Sequence, residues 1–305
     1  MITSFTGFSS IVAIIMAFIT MLTSVYGSVS NSLENKQSNF PVQDFEEKAD
    51  DCLRIMSFNV RCTNVGTATA ASRHGIVAET IKKGHPDSVG VQEATPSWME
   101  ALKLRLGDEY AYVGVGRDDG DNNGEYSAIF YLKDKYEAQD SGTFWLSETP
   151  DKPSMGWDAA CRRVCTWVVL KNKTTGETYV HLNSHFDHIG QTARSESVKM
   201  ILAKASEYPD LPVVFTADMN VVEGSKNYQE ITADGTLRDT KHLAPDTMDC
   251  CTYHDTKPEM HDGDVIDYVL VNQHFDAKVY RVVTAGIDGK FVSDHYPIYA
   301  NIVIK

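Results

Sequence analysis

Leu211-Pro212-Val213-Val214-Phe215-Thr216-Ala217 is a continuous apolar run, and it ends in Asp218-Met219-Asn220. An apolar run without alternation is the pattern of a strand covered on both faces. Residues 218 and 220 point to the same side of an extended chain. An Asp and an Asn together at a buried strand end are costly unless they are paired or used. That pairing of a buried strand with a polar terminus recurs on both sides of it.

Upstream, residues 191–208 carry Val198, Ile201, Leu202 and Ala205 on one helical face. Before them, residues 165–170 and 178–183 read as a hairpin across the turn at 171–177. Its second strand ends in Asn183-Ser184-His185-Phe186-Asp187-His188. A single catalytic His185, with neighbours that shape the loop, is a simpler reading of this cluster than a metal site. Further strands are expected over 110–115, 126–132 and 142–147. The Gly/Asp/Asn-rich loop at 116–125 lacks calcium-loop spacing and reads as a mobile surface loop with Glu125 at its end. Residues 87–93 form a short apolar strand ending in Gln92-Glu93, and Thr95-Pro96 opens the next helix. An earlier helix spans 72–83, and residues 53–60 form a strand with Asn59 near its end.

Downstream, residues 237–261 are irregular and receive no assignment. Val265-Ile266-Asp267-Tyr268-Val269-Leu270-Val271 places one carboxylate inside an apolar strand, where it wants a partner such as a His. A strand over 275–283 follows, and Ser293-Asp294-His295-Tyr296-Pro297 precedes the last one. Strands broken by three helices make a mixed α/β chain, not a plain βαβ series.

The 305 residues carry a formal net charge of −14. Phosphate repels such a chain, so tight non-specific nucleic-acid binding is disfavoured unless a metal ion reverses the field locally. Residues 1–27 hold no charged side chain and an apolar core at 11–19. They read as a secretory signal, although the basic leading region is missing. An uncleaved membrane anchor is the alternative, but the run is shorter than the ~20 residues of a spanning helix. Residues 28–51 read as a linker and 52–305 as the domain. Six cysteines in a secreted chain suggest disulfides. No CxxC spacing supports zinc. Asn172-Lys173-Thr174 is a glycosylation sequon on a turn.

The strand-end polar residues are Asn59, Glu93, Glu125, His185, Asp218, Asn220, Asp267, Asp294 and His295. Carboxylates and amides are hard oxygen donors that favour Mg²⁺ or Mn²⁺ over zinc. Asp with His offers a general base for water, and amides offer donors to phosphate oxygens. The set suits in-line hydrolysis of a phosphate ester. No GxSxG, P-loop or GxGxxG motif supports another hydrolase or nucleotide class.

In order, Ser57-Phe58-Asn59-Val60, Val91-Gln92-Glu93, Glu125-Tyr126-Ser127, Asn183-Ser184-His185, Asp218-Met219-Asn220, Ile266-Asp267-Tyr268 and Ser293-Asp294-His295-Tyr296-Pro297 resemble the endonuclease/exonuclease/phosphatase (deoxyribonuclease I-like) superfamily. The resemblance covers residues 52–305, with Ala217 where the family usually has Gly. It implies a four-layered α/β sandwich, with two mixed sheets face to face and helices outside. It implies a metal held by Glu93, with Asn59 and Asp294 in support. Asp218 would orient or deprotonate water, and Asn220 would hold a phosphate oxygen. His185 and His295 would contact the phosphate, oriented by Glu125 and Asp267 respectively. The identity of the general base stays open. The default activity is a secreted, monomeric, Mg²⁺-dependent phosphodiesterase of nuclease type acting on a phosphate ester, without an obligate protein partner. The alternatives are a phosphomonoesterase on a sugar or inositol phosphate, a sphingomyelinase-like enzyme, and an inactive binding protein.

Overall fold

The computed structural model describes residues 44–255, 263–285 and 292–305. The expectations for residues 1–27 and for most of the linker lie outside these residues. The elements in chain order are β1 (Leu53–Asn59), α1 (Ala70–Gly84), β2 (Ser88–Ala94), α2 (Pro96–Leu106), β3 (Tyr110–Val113), β4 (Tyr126–Leu132), β5 (Tyr136–Trp145), β6 (Val164–Asn172), β7 (Thr178–His185), α3 (Gln191–Ser206), β8 (Val213–Asp218), α4 (Lys226–Thr232), β9 (Arg238–Asp239), α5 (Thr240–Leu243), β10 (Asp246–Thr247), β11 (Asp267–Val271), β12 (Phe275–Val282) and β13 (Ile298–Ile304).

The strands form two sheets, ordered β10-β12-β13-β1-β2-β4-β3 and β5-β6-β7-β8-β11-β9. Both are mixed: β1–β2 and β7–β8 are parallel, and β1–β13 and β8–β11 are antiparallel. The sheets face each other through β1 against β8 and β2 against β7. Strand alternation divides β7 between two environments. Val180 and Leu182 join Val198, Ile201 and Ala205 of α3 in an outer apolar layer. His181 and Asn183 turn inward instead and bond across the sandwich. On the other sheet, α1 and α2 pack together and bury Val77, Ile81, Trp98 and Leu102. Fully burying each such apolar side chain is worth about 1.5–3 kcal/mol. Thr69 and Thr95 cap these helices, and Pro96 fills the first turn of α2. The result is the four-layered α/β sandwich, two mixed sheets between outer helices.

This topology explains where the polar termini meet. Parallel β1 and β2 carry Asn59 and Glu93 to one end of their sheet, and parallel β7 and β8 carry His185 and Asp218 to the end of theirs. Antiparallel β11 starts at that end, with Asp267 opposite Asp218. Antiparallel β13 starts beside the end of β1, which brings Asp294 and His295 back to it.

Four expectations are corrected. Residues 44–51 are not a linker: Phe45 stacks on Tyr299, Glu46 pairs with Arg281 and Lys48 pairs with Asp87. The 116–125 loop is tightly folded, with main-chain bonds Gly116 N to Asp121 O and Arg117 N to Glu125 O. Asn172 is a poor glycan acceptor, because it is 8% exposed and its Oδ1 accepts from Thr174 N and Thr175 N to close the turn. No disulfide joins the six cysteines, although Cys250 and Cys251 are neighbours whose side chains interact. The irregular stretch from 237 contains β9, α5 and β10.

Candidate active site

Glu93 sits on a bulge. The β2–β4 register shifts between Val91 and Ala94, and Glu93 has φ +59°. A non-glycine residue there costs about 1–3 kcal/mol and persists only when its surroundings impose it. Its Oε1 accepts from Asn59 Nδ2 at 3.0 Å and its Oε2 from Cys62 N at 2.9 Å. Burial would raise its pKa, but these hydrogen bonds outweigh burial and lower it.

Asn59 bridges two carboxylates. Its Oδ1 accepts from Arg61 N at 2.9 Å, so its NH₂ faces the site. That NH₂ donates to Glu93 Oε1 and, at 2.8 Å, to Asp218 Oδ2. Through that NH₂ Asn59 aligns the two acids, while its oxygen accepts one bond and keeps a second lone pair.

Asp218 accepts from Asn220 N at 3.0 Å. Burial, with the charge of Asp267, holds its carboxyl above the usual range against the pull of His295. His295 Nδ1 lies 2.8 Å from Asp267 Oδ2, and its Nε2 lies 3.7 Å from Asp218 Oδ2. Burial disfavours the imidazolium, but the charges of Asp267 and Asp218 outweigh it and raise His295 to about 10.

His185 behaves oppositely. Burial and the charges of Arg163 and Arg117 push its pKa well down, so it is neutral. Its Nε2 meets Asn220 Nδ2 at 3.1 Å, and that amide also donates to Phe186 O. Asn220 therefore holds His185 in place at the site. Glu125 does not orient His185 either, because Arg117 binds it bidentately at 2.8 and 3.1 Å. Asp294 reaches the same end of the sandwich but pairs with Arg61 Nη1 at 3.1 Å. It lies outside the groups whose ligand atoms converge.

A cavity of about 400 Å³ opens at this end of the sandwich. Glu93, Glu125, Asp218, His185 and His295 are among its lining residues, together with the guanidinium groups of Arg61, Arg117 and Arg163. The sequence reading missed all three arginines. The available signal was position: Arg61 lies two residues after Asn59, and Arg163 immediately precedes β6. A search confined to carboxylates, amides and imidazoles at strand ends passes over them.

Residues 56–295 match the model of the Endonuclease/Exonuclease/phosphatase family. The chain belongs to this family. Its members hydrolyse phosphate esters and generally use divalent metals. Among solved structures, a mannosyl-6-phosphatase from Bacteroides thetaiotaomicron is 34% identical, with TM-score 0.78, over 83% of this chain and 100% of that one. An endonuclease/exonuclease/phosphatase from Bacteroides vulgatus is 36% identical, with TM-score 0.76, over 83% and 99%. The human nocturnin catalytic domain shares 15% identity and the fold, with TM-score 0.67, over 86% and 97%. A search of curated proteins gives no match.

The family's metal fits the residues present. Ligand atoms of Glu93, His185 and Asp218 lie within 4.8 Å of one another. Two buried carboxylates this close repel unless a proton or a cation intervenes. Asp267 Oδ1 is also buried and has no partner among the described residues. The Cys161, Asp187 and His188 cluster is different in kind. Asp187 already accepts from four main-chain N–H groups, those of Ala160, Cys161, Ile189 and Gly190. It is spent on holding its loop.

Proposed function

We propose that the protein is a divalent-metal-dependent phosphomonoesterase acting on a small phosphorylated sugar. The observation that carries this reading is a compact cavity lined by three guanidinium groups, those of Arg61, Arg117 and Arg163, beside the carboxylates of Glu93, Glu125 and Asp218, in a chain with net charge −14. Guanidinium donors gathered in a compact cavity suit a small anion, whereas a nucleic-acid strand needs an extended basic track. The named activity of the 34% identical mannosyl-6-phosphatase supports the same choice. Nocturnin, at 15% identity, speaks for the fold alone. On these grounds we prefer the monoesterase alternative to the nuclease default.

Glu93 would hold the ion, with Asp218 beside it. When bound, Mg²⁺ or Mn²⁺ offsets phosphate charge in the transition state. Asp218, with its raised pKa, is suited to accept a proton from the attacking water. His295, held protonated by Asp267, donates to a phosphate oxygen as the ester bond breaks. Asn59 keeps the two acids aligned, and Asn220 keeps His185 facing the site.

For the leader, we propose that residues 1–27 direct export, on the strength of their uncharged apolar run. The test of function is a panel at fixed Mg²⁺: hexose 6-phosphates, inositol phosphates, DNA, RNA and bis-p-nitrophenyl phosphate. Inorganic phosphate should be released from a hexose phosphate, and EDTA should stop the release. Cleavage of DNA or RNA with no phosphate released from any monoester would restore the nuclease reading.

A further inference from the structure

The three cavity arginines are not equivalent. Arg61 is matched by Asp294 at 3.1 Å, and Arg117 by Glu125 through two bonds. Arg163 is 5% exposed, and its nearest carboxylate oxygen, Asp187 Oδ2, is 3.5 Å from Nε. That carboxylate is already shared among four main-chain donors. Arg163 Nη2 meets His188 Nδ1 at 3.0 Å, a contact with no carboxylate in it. Its Nη1 is buried and has no partner among the described residues. A buried cation with so little compensation is expensive, unless something absent from the free chain supplies the counter-charge.

The position of Arg163 says what that is. It precedes β6, whose first residue Val164 accepts from Ser184 Oγ on β7, beside His185. Its charge reaches His185, where it helps keep the imidazole neutral. Arg163 therefore lines the cavity beside His185 with one buried N–H group unsatisfied.

We infer that Arg163 is a specificity-determining residue that binds the second negative charge of a phosphomonoester, the charge a diester lacks. This rests on the monoesterase reading and sharpens it. A guanidinium suits the role because it stays charged and can bond two oxygens of one phosphate. Asp187 is then a positioning residue that braces Arg163 through Nε and leaves Nη1 for the substrate.

The test compares wild type with Arg163→Met and Arg163→Lys, each first checked for folding by circular dichroism and thermal melting. Two quantities are read with Mg²⁺ present. One is kcat/KM for a hexose 6-phosphate relative to bis-p-nitrophenyl phosphate. The other is the affinity for inorganic phosphate by calorimetry. Arg163→Met should lower the monoester-to-diester ratio and the phosphate affinity by about thirtyfold each, the scale of one charge-assisted bond. Arg163→Lys should recover part of both. Equal losses on both substrates, or unchanged phosphate affinity in a folded variant, would overturn the assignment. If Arg163→Met does not fold, Arg163→Lys alone decides, because a ratio equal to wild type with unchanged phosphate affinity overturns it. Failure of wild type on every monoester would instead remove the proposed function, and the phosphate affinities would still judge Arg163.

Discussion

Asp267 and Asp218 face each other in register across β11 and β8, yet they do different work. Asp267 gives one oxygen to His295 Nδ1, and this contact with the charge of Asp218 lifts the imidazole to about 10. Asp267→Asn should remove most of that lift. The alkaline limb of kcat/KM should then fall from about 10 toward the ordinary histidine value of about 6.5. The rate at pH 8 should drop about a hundredfold, as expected when a positioned acid is lost. A pH–rate profile with the limb unmoved would show that His295 is not the titrating acid. At this scale the meeting of Glu93, His185, Asp218, Asp267 and His295 at one end of the sandwich could be read from their places at strand ends, whereas the pairing of Glu125 and Asp294 with arginines could not. Nor could the use of each amide. Asn59 and Asn220 are turned by single contacts, with Arg61 N and Phe186 O, that no spacing rule encodes.

At the level of elements, the bulge that presents Glu93 is supported from the opposite sheet. Asn183 on β7 donates to Val91 O and Ala128 O, the carbonyls flanking the break in the β2–β4 ladder. Its Oδ1 accepts from Gln92 Nε2 at 2.7 Å and from Thr216 Oγ1 at 3.0 Å. This approach is possible because residue 90 is Gly: a Cβ there would stand 2.0 Å from Thr216 Oγ1 and 2.4 Å from Asn183 Oδ1. Gly90→Ala should therefore cost about 3 kcal/mol through overpacking. At about 2–4 °C per kcal/mol for a domain of this size, melting should fall by about 6–12 °C. Mn²⁺ affinity should fall with it, since the bulge carries Glu93. A variant with wild-type melting would refute the close approach, and normal Mn²⁺ binding in a destabilised variant would separate Gly90 from the site. Strands and long helices were legible from periodicity and caps. The short pieces β9, α5 and β10 were not, because two to four residues are too few to show a period. The 116–125 loop looked mobile from composition, yet its Asp119 carboxylate accepts from Asp121 N and Asn123 N, the local bonding for which Asp and Gly are used in turns.

Across the whole molecule, the two sheets meet through hydrogen bonds as well as apolar contact. His181 is the hinge of this polar layer: Nδ1 meets Ser88 Oγ on the first sheet, and Nε2 meets Thr216 Oγ1 on the second, both at 2.8 Å. Tyr179 OH donates to the same Ser88 oxygen at 3.0 Å. From sequence, His181 is one polar residue inside a strand, and which partner it meets depends on how the sheets are stacked. With both nitrogens occupied by hydroxyls and no carboxylate opposite, burial pushes its pKa down from 6.5 to about 3. The unfolded chain therefore binds a proton between these values that the folded chain refuses. Stability from this group is fully present above pH 6.5 and declines as pH falls toward 3. The slope is at most about 1.4 kcal/mol per pH unit for one proton. His185 and His254 are also depressed by burial and add to the acid sensitivity, so wild type alone does not isolate His181. His181→Gln keeps polar atoms between Ser88 and Thr216 but cannot take up a proton. Urea denaturation at half-unit steps from pH 7 to pH 4 should show the variant less stable than wild type at pH 7. The two curves should converge at pH 4, because only wild type loses the His181 contribution on the way down. Parallel curves over that range would mean that His181 is not the group that couples the closure of the two sheets to pH.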